Sequence, residues 1–507
     1  MTNVVSLIGT LMHEVGAAWL MTTLAPTPFM VAMVQTASTF PFFLLALPAG
    51  ALADIIDRRR LLLMTQVWML IASIVLGVLT VSGMTTPLVL LALTFFLALG
   101  AAVNAPSWQA IIPELVERNE LPSAIALGSV GFNLARAVGP VIGGLIVAAL
   151  GPGITFLLNG ISFFGVVIVL KRWKRAQRTS TLKEERLVSA MRAGIRYIRN
   201  APEVKSVLIH TIFLSFFCSS LPAFLPIISR EYLGLGSSGF GALLGFFGFG
   251  ALLGATFLPV LRQRFSLNLI ILMATNIFAL ATATVANLHS FIFLAIAMVV
   301  GGMAWLILIS TLIAVVQSVI PAWVRGRVLS VHMLSFFGGL AGGSALFGLI
   351  AGGIGIPSTL NIVAGCLVIT TAITWNYKLK SGEELDLSPS MHWPSLVVSG
   401  QPDFDEGPVL VVVEYNIDPA KAAGFTDSMQ ALKTIRRRDG AIRWNLFHDL
   451  TDPGHYIESY IVESWGEHLR QHERITVADR EIEKKVLSFH LDGKPPKVMH
   501  FLAEPLP

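Results

Sequence analysis

Between residues 3 and 377 the chain is a succession of apolar stretches separated by short gaps, and that fixes the solvent before anything else. A hydrocarbon layer of about 30 Å is crossed by about 20 apolar residues at about 1.5 Å of rise each. Hydropathy gives twelve such spans, at 3–24, 29–53, 61–82, 87–112, 122–150, 153–171, 206–228, 239–261, 267–288, 290–320, 328–352 and 358–377. The expected fold class is an all-α polytopic membrane protein.

Charged residues are only 13% of the 507, but the average hides a break near residue 380. Before it, charges are confined to short loops; after it they recur at the density of a soluble domain, over enough chain to build a separate core. The basic excess comes from loop arginines, so nucleic-acid binding is not expected. Cys218 and Cys366 stand alone inside apolar segments, so neither a disulfide framework nor a metal cluster is implied. The first span has no basic segment before it and runs straight into the second, so no cleavable signal peptide is expected.

Basic residues alternate from gap to gap. Gaps after odd-numbered spans are short and uncharged, as at residues 25–28 and 151–152, apart from Arg230 beside Glu231. The opposite gaps hold Arg58, Arg59 and Arg60, then Arg118, Arg262 and Arg264, Arg325 and Arg327, and most of the connector up to Lys205. The positive-inside bias puts both termini and the polar tail in the cytoplasm. The expected domains are a six-helix half at 1–171, a connector at 172–205, a second half at 206–380, a linker at 381–407 and a cytoplasmic domain at 408–507. Gln109-Ala-Ile-Ile-Pro113 ending span 4 and Gln317-Ser-Val-Ile-Pro321 ending span 10 support a parallel repeat, an arrangement that puts a substrate site between halves. In the connector, Arg192, Arg196 and Arg199 have helical spacing, which suits either an amphipathic helix on anionic lipid or a solvated charged segment.

Charges inside spans are the sharpest functional clue, because an unpaired charge there costs several kcal/mol. His13 and Glu14 lie mid-span 1 and Arg136 lies in span 5. Glu14 and Arg136 are expected to face a central cavity, Glu14 as a proton carrier; the alternative is a structural salt bridge between helices. His13 is about 100° round the helix from Glu14. Gln35, Asn104, Trp108, Gln109, Asn133, Trp305 and Gln317 are softer cavity candidates, each also able to serve as a helix-to-helix hydrogen bond or packing residue. In span 5, Gly139-Pro140-Val-Ile-Gly143-Gly144 combines close-packing glycines with a kink-forming proline.

Residues 50–60, Gly-Ala-Leu-Ala-Asp-Ile-Ile-Asp-Arg-Arg-Arg, resemble the signature loop of the major facilitator superfamily, with Gly50, Leu52, Ala53, Asp54, Arg58 and Arg59 matching and Ile55 and Asp57 departing. The resemblance implies that the Asp54 carboxylate, with Gly50, Arg58 and Arg59, latches the two halves on the cytoplasmic side. The glycine-proline run resembles the span-5 motif of that family's exporters and antiporters. Residues 6–21 followed by Leu47-Pro-Ala-Gly-Ala-Leu-Ala-Asp54 resemble its transmembrane secretion effector branch, related to the enterobactin exporter. Members of that branch carry further residues before span 1, so the resemblance implies a truncated or misassigned start.

Past the linker, residues 409–415, 442–448, 456–463 and 498–502 read as strands, and 419–437 and 466–488 as helices. This β-α-β-β-α-β order is that of a ferredoxin-like sandwich, similar to the dimeric α/β barrel domains of antibiotic-biosynthesis monooxygenases, and implies homodimerisation. His468 and His472 stand four apart, but an exposed charged helix gives that spacing by chance, so no metal is assigned. No phosphate-binding loop occurs, so direct use of ATP is not expected; no cofactor and no catalytic residue is assigned. The expected function is proton-coupled export of a small amphipathic molecule, such as a siderophore, drug or secondary metabolite, across a bacterial inner membrane. Alternatives are a lipid or lysolipid flippase of the same fold, or a transporter fused to a monooxygenase-like tail enzyme.

Overall fold

The computed structural model describes residues 2–55, 57–115, 120–172, 187–382, 385–393, 402–491 and 495–504. Among them twelve helical segments are long and apolar enough to cross a membrane. The first six are α1 (Thr2–Leu24), α2 (Pro28–Ile55), α3 (Arg58–Val81), α4 (Pro87–Leu115), α5 (Leu121–Leu150) and α6 (Pro152–Arg172). After α7 (Leu187–Asn200), the seventh span runs through α8 (Pro202–Cys218), α9 (Ser220–Ile227) and a π-helical turn at Ile228–Tyr232. The rest are α10 (Ser237–Arg264), α11 (Leu267–Asn287), α12 (Phe291–Ser318), α13 (Arg325–Ile354) and α14 (Ile356–Thr374). Gly151 and Gly355, at φ +83° and +84°, end α5 and α13, and Pro152 and Pro357 open the helices that follow. A left-handed glycine and then a proline near the helix start reverses the chain in the fewest residues. Large apolar side chains such as Leu88, Leu280 and Ile292 are exposed on these helices, as lipid-facing surfaces require.

Lipid gives no hydrophobic drive between helices, so association depends on close backbone approach. The α5 glycines provide it on two faces. A Cβ on Gly143 would stand 2.9 Å from Met12 Cα of α1; one on Gly144 would stand 2.6 Å from Ser237 O and 2.9 Å from Gly241 Cα of α10. Helix α5 thus packs against α1 and α10 at once, which brings the first and second sets of spans together.

One compact unit holds the spans apart from short end pieces of three of them. The second gathers the residues from 380 on with α7, the start of α8, the end of α12, the turn that follows it and the start of α13. In it, β1 (Val409–Asn416), β2 (Ala441–His448), β3 (His455–Val462) and β4 (Lys497–Leu502) form one antiparallel sheet ordered β2-β3-β1-β4. Alternation along β1 buries Val409, Val411, Val413 and Tyr415 against Phe425, Met429 and Leu432 of α15 (Ala422–Asp439). The single helix expected at 466–488 is two, α16 (Trp465–Arg474) and α17 (Val477–Leu487). Thr476 is the cause: it caps α17 in a reciprocal box, its hydroxyl accepting from Asp479 N at 3.2 Å while Asp479 Oδ2 accepts from Thr476 N at 3.0 Å. The backbone opened at the break is met by a segment read as linker, with Ser390 N donating to Ile475 O (2.9 Å) and Val477 N to Ser388 O (3.0 Å).

The arginine face of α7 meets protein. Arg192 Nη1 contacts Glu463 Oε1 at 3.1 Å, Arg196 pairs with Glu467, and the helix packs on α15. Besides the lipid or solvent expected for it, the helix finds two glutamates flanking the start of α16, a complement that spacing within the connector does not reveal; Arg192 and Arg199 stay exposed.

Candidate substrate cavity

A cavity of about 290 Å³ lies among the spans, walled by α1, α2 and α5 from the first set and by α8 to α13 from the second. On α1 the wall is Leu11, Glu14, Val15 and Ala18, one helical face at spacings of three and four. That register turns Glu14 inward, and its accessible surface opens into the cavity. His13 falls on another face: it is buried against Phe156 of α6 with ring centroids 4.5 Å apart, away from the cavity wall.

Arg136 and Pro140 line the cavity from α5. Pro140 has no N–H, so the Arg136 carbonyl lacks its usual helical partner. Gly248 of α10 packs onto that carbonyl, where a Cβ would come within 2.5 Å of the oxygen. The guanidinium lies 5.8 Å from the Phe132 ring centre. Glu14 and Arg136 interact electrostatically, and no contact within ion-pair distance joins them among the described residues. The cavity therefore presents one acid and one cation from separate helices. Gln35 and Trp305 complete its polar wall, along with Ser38 and Thr39, whose hydroxyls donate to Val34 O (3.0 Å) and Gln35 O (2.8 Å) of their own helix and keep acceptor capacity. Trp305 is held between Phe278 and Phe336, with centroids 6.1 and 6.0 Å away.

Of the remaining cavity candidates, Asn104 accepts from Thr65 Oγ1 at 3.0 Å and Gln66 Nε2 at 3.4 Å, joining α4 to α3. Trp108 packs on the cluster of Leu62, Ile111, Val166 and Leu170. Asn133 donates to Ser129 O of its own helix at 2.9 Å, and Gln109 and Gln317 are exposed. These five, like His13, stand apart from the cavity wall. Gly139 abuts α1, where a Cβ would lie 2.9 Å from Leu11 Cβ.

In the signature loop, Gly50 and Asp54 occupy the last turns of α2, and their surroundings lie outside the described residues, as does Arg118. Arg59 donates to Leu170 O (2.9 Å) and Lys171 O (2.7 Å), satisfying carbonyls at the end of α6. Asp57, which departs from the signature, caps α3 by accepting from Arg60 N at 2.9 Å. Arg230, the isolated base on the opposite side, donates to Thr22 (3.0 Å) and Thr23 (2.7 Å) at the end of α1.

His332 is a residue that sequence reasoning missed. It is buried in α13 with Nδ1 3.3 Å from Thr211 Oγ1 of α8. The signal was present, an ionisable side chain inside the span read at 328–352. In the tail, His468 is buried with Nδ1 3.2 Å from Gln471 Oε1, and no group of three or more potential metal ligands is arranged for an ion among the described residues.

The staphyloferrin A transporter of Staphylococcus aureus (strain NCTC 8325 / PS 47) is 24% identical over 388 residues, 76% of this chain and 96% of that protein. YfiS of Bacillus subtilis (strain 168), an uncharacterised transporter of the major facilitator type, is 24% identical over 369 residues, 68% of this chain and 83% of that one. Among solved structures, a peptide-bound transporter of the POT family aligns with a TM-score of 0.60 at 14% identity, over 74% of this chain and 95% of its own. An inward-facing, unoccupied bacterial homolog of the human lysosomal transporter Spinster aligns with a TM-score of 0.56 at 16% identity, over 74% and 96%. The pattern of the transmembrane secretion effector family matches residues 1–506. The chain belongs to that family and is a membrane transporter of the major facilitator type.

Proposed function

We propose that the protein exports a small amphipathic molecule of the siderophore class in exchange for protons, with drugs or secondary metabolites as related cargo. The observation that carries this reading is the pairing of Glu14 and Arg136 on one cavity wall, from different helices and out of salt-bridge contact. A carboxyl free of a permanent partner is available to a proton, and a guanidinium is available to an anionic group on the cargo. The relative named for staphyloferrin A transport supports the cargo class.

In this reading two six-helix halves, 1–171 and 206–380, rock about the cavity, and Asp54 latches them on the cytoplasmic side of a bacterial inner membrane. Both termini are cytoplasmic. The tail is a ferredoxin-like sandwich. The sheet face opposite Val409 and Val411 carries Leu410, Phe447, Ile461 and Phe501, of which Phe447 and Phe501 are exposed among the described residues, and this supports homodimerisation through that domain.

Proteoliposomes loaded with staphyloferrin A provide the test. The wild-type protein is expected to move protons when that cargo moves. Glu14→Gln should cut proton movement about tenfold or more, the equivalent of at least ~1.4 kcal/mol. Arg136→Gln should weaken cargo binding first. Transport indifferent to the pH gradient and to Glu14→Gln would overturn the coupling and make Glu14 structural.

A further inference from the structure

Beside the central cavity lies a second, smaller void of about 10 Å³. Its wall comes from α8 (Thr211, Ser215), α12 (Trp305, Leu308) and α13 (His332, Phe336). It is far too small for cargo and close to the ~10–15 Å³ that a single water needs. Four of these side chains, Thr211, Ser215, Trp305 and His332, carry donors or acceptors that a water would use, and Trp305 lines both spaces.

His332 has no place in the cavity wall, yet an ionisable residue buried inside a span is costly without a role. Its partner suits both of its protonation states. Neutral with the proton on Nε2, the ring accepts at Nδ1 from the Thr211 hydroxyl, 3.3 Å away. Protonated, Nδ1–H donates to the same hydroxyl oxygen. Among the described residues that line the void, none carries a fixed charge. Every void-lining residue contributed by α8 and α12 is uncharged, as is Phe336 on α13 itself. His210 is adjacent to Thr211 on α8 and is also buried; Arg327 lies more than one turn back along α13; Glu14 and Arg136 lie in the cavity beyond Trp305. Along α13, His332 is seven residues, about 10 Å, from the basic end at Arg325.

We propose that His332, together with Thr211 and one water, forms a second protonation site of the transporter, in communication with the central cavity through Trp305. The inference rests on the proton-coupled reading above. A proton taken up at the bare ring nitrogen is shared with the water and the Thr211 hydroxyl, and returns by the same atoms when the cavity changes state.

Two measurements on the full-length protein test it. The first needs no cargo: tryptophan emission of the wild type minus that of Trp305→Phe isolates Trp305 as pH falls, and an imidazolium at the same void quenches it. A single-proton step is expected in the wild type and its loss in both His332→Asn and His332→Gln; absence of the step, or its survival in both variants, overturns the proposal. The second uses vesicles loaded with staphyloferrin A, where His332→Gln should cut proton movement about tenfold while exchange of that cargo without a pH gradient stays within about twofold. A wild type that titrates at Trp305 but moves no protons with this cargo counts against the functional reading alone. A wild type that couples while His332→Gln couples equally well overturns the role of His332.

Discussion

Glu458 is fully buried in the tail with both oxygens occupied: Oε1 accepts from Arg436 Nε at 3.2 Å and Trp444 Nε1 at 2.8 Å, and Oε2 from the Tyr415 hydroxyl at 3.0 Å. Arg436 also donates to Glu483 at 2.8 Å, and Glu483 holds the linker residues His392 (2.7 Å) and Trp393 (3.1 Å). Every charge in that chain is met by another, which is what makes its burial tolerable. His468 is buried by the opposite means, staying neutral. Desolvation, helped by His500, pushes its pKa from 6.5 down to about 3. The sign follows from linkage. Above pH 6.5 the folded and unfolded states are both neutral at this ring; below it the unfolded chain takes up a proton that the folded one refuses until about pH 3. The tail should therefore lose about 1.4 kcal/mol per pH unit at this residue across that window. In His468→Asn the drop in tail stability between about pH 7 and pH 5 should shrink by about 2 kcal/mol. Hydrogen exchange of α16 peptides at the two pH values measures it, and an unchanged slope would show that His468 protonates in place.

At the level of elements, α5 makes two predictions of opposite sign from one substitution type. Gly144 faces α10 with backbone atoms under 3 Å from where a Cβ would sit, and backbone cannot step aside as a side-chain tip can. Gly144→Ala should cost about 1–3 kcal/mol by overpacking. Gly128, in the same helix, has nothing within 4 Å among the described residues, so Gly128→Ala should gain about 0.4–1 kcal/mol through lost unfolded-state freedom. Thermal unfolding of the two variants in one detergent should shift down and up respectively. The α5 seam was legible because small residues at fixed spacing have few other uses in a span. The amides were not. Asn104 bonding to α3 and Gln35 facing the cavity look alike in sequence, and only helix register separates them. Register also distinguishes Glu14, in line with Leu11 and Ala18, from His13 one residue away. The break between α16 and α17 escaped because charge and hydropathy are similar on either side, and only the Thr476 and Asp479 box marks it.

For the molecule as a whole, the consequential joint is where the tail grips the connector and the turn before α13. Trp323 lies in that turn, two residues ahead of Arg325, where α13 begins. Its indole meets Tyr197 of α7 edge-on at 5.6 Å and receives the Arg474 guanidinium at 4.4 Å. Arg474 in turn grips Glu467 through two hydrogen bonds, 2.6 and 3.1 Å, and Glu467 also holds Arg196 of α7. Glu467 is thus the hub between tail, connector and the start of a span. Burial alone would raise its pKa, but the hydrogen bonds and charge of Arg474, with Arg196, outweigh it and hold the carboxyl below its usual range. A depressed carboxylate pKa stabilises above the unfolded value near 4.5 and loses that contribution as pH falls through the folded one, so the joint should hold at neutral pH and open only in strong acid. Arg192 and Glu463, both more than half exposed, form the second bridge from α7, and exposed pairs contribute about 0–1 kcal/mol. Breaking the buried one strands two arginines and should cost about 3–5 kcal/mol locally. Glu467→Gln should therefore raise amide exchange across Leu187–Asn200 by about a hundredfold or more, whereas Glu463→Gln should change it by about fivefold at most. Equal effects from the two variants would mean that α7 is held by its packing on α15 and not by the Glu467 hub.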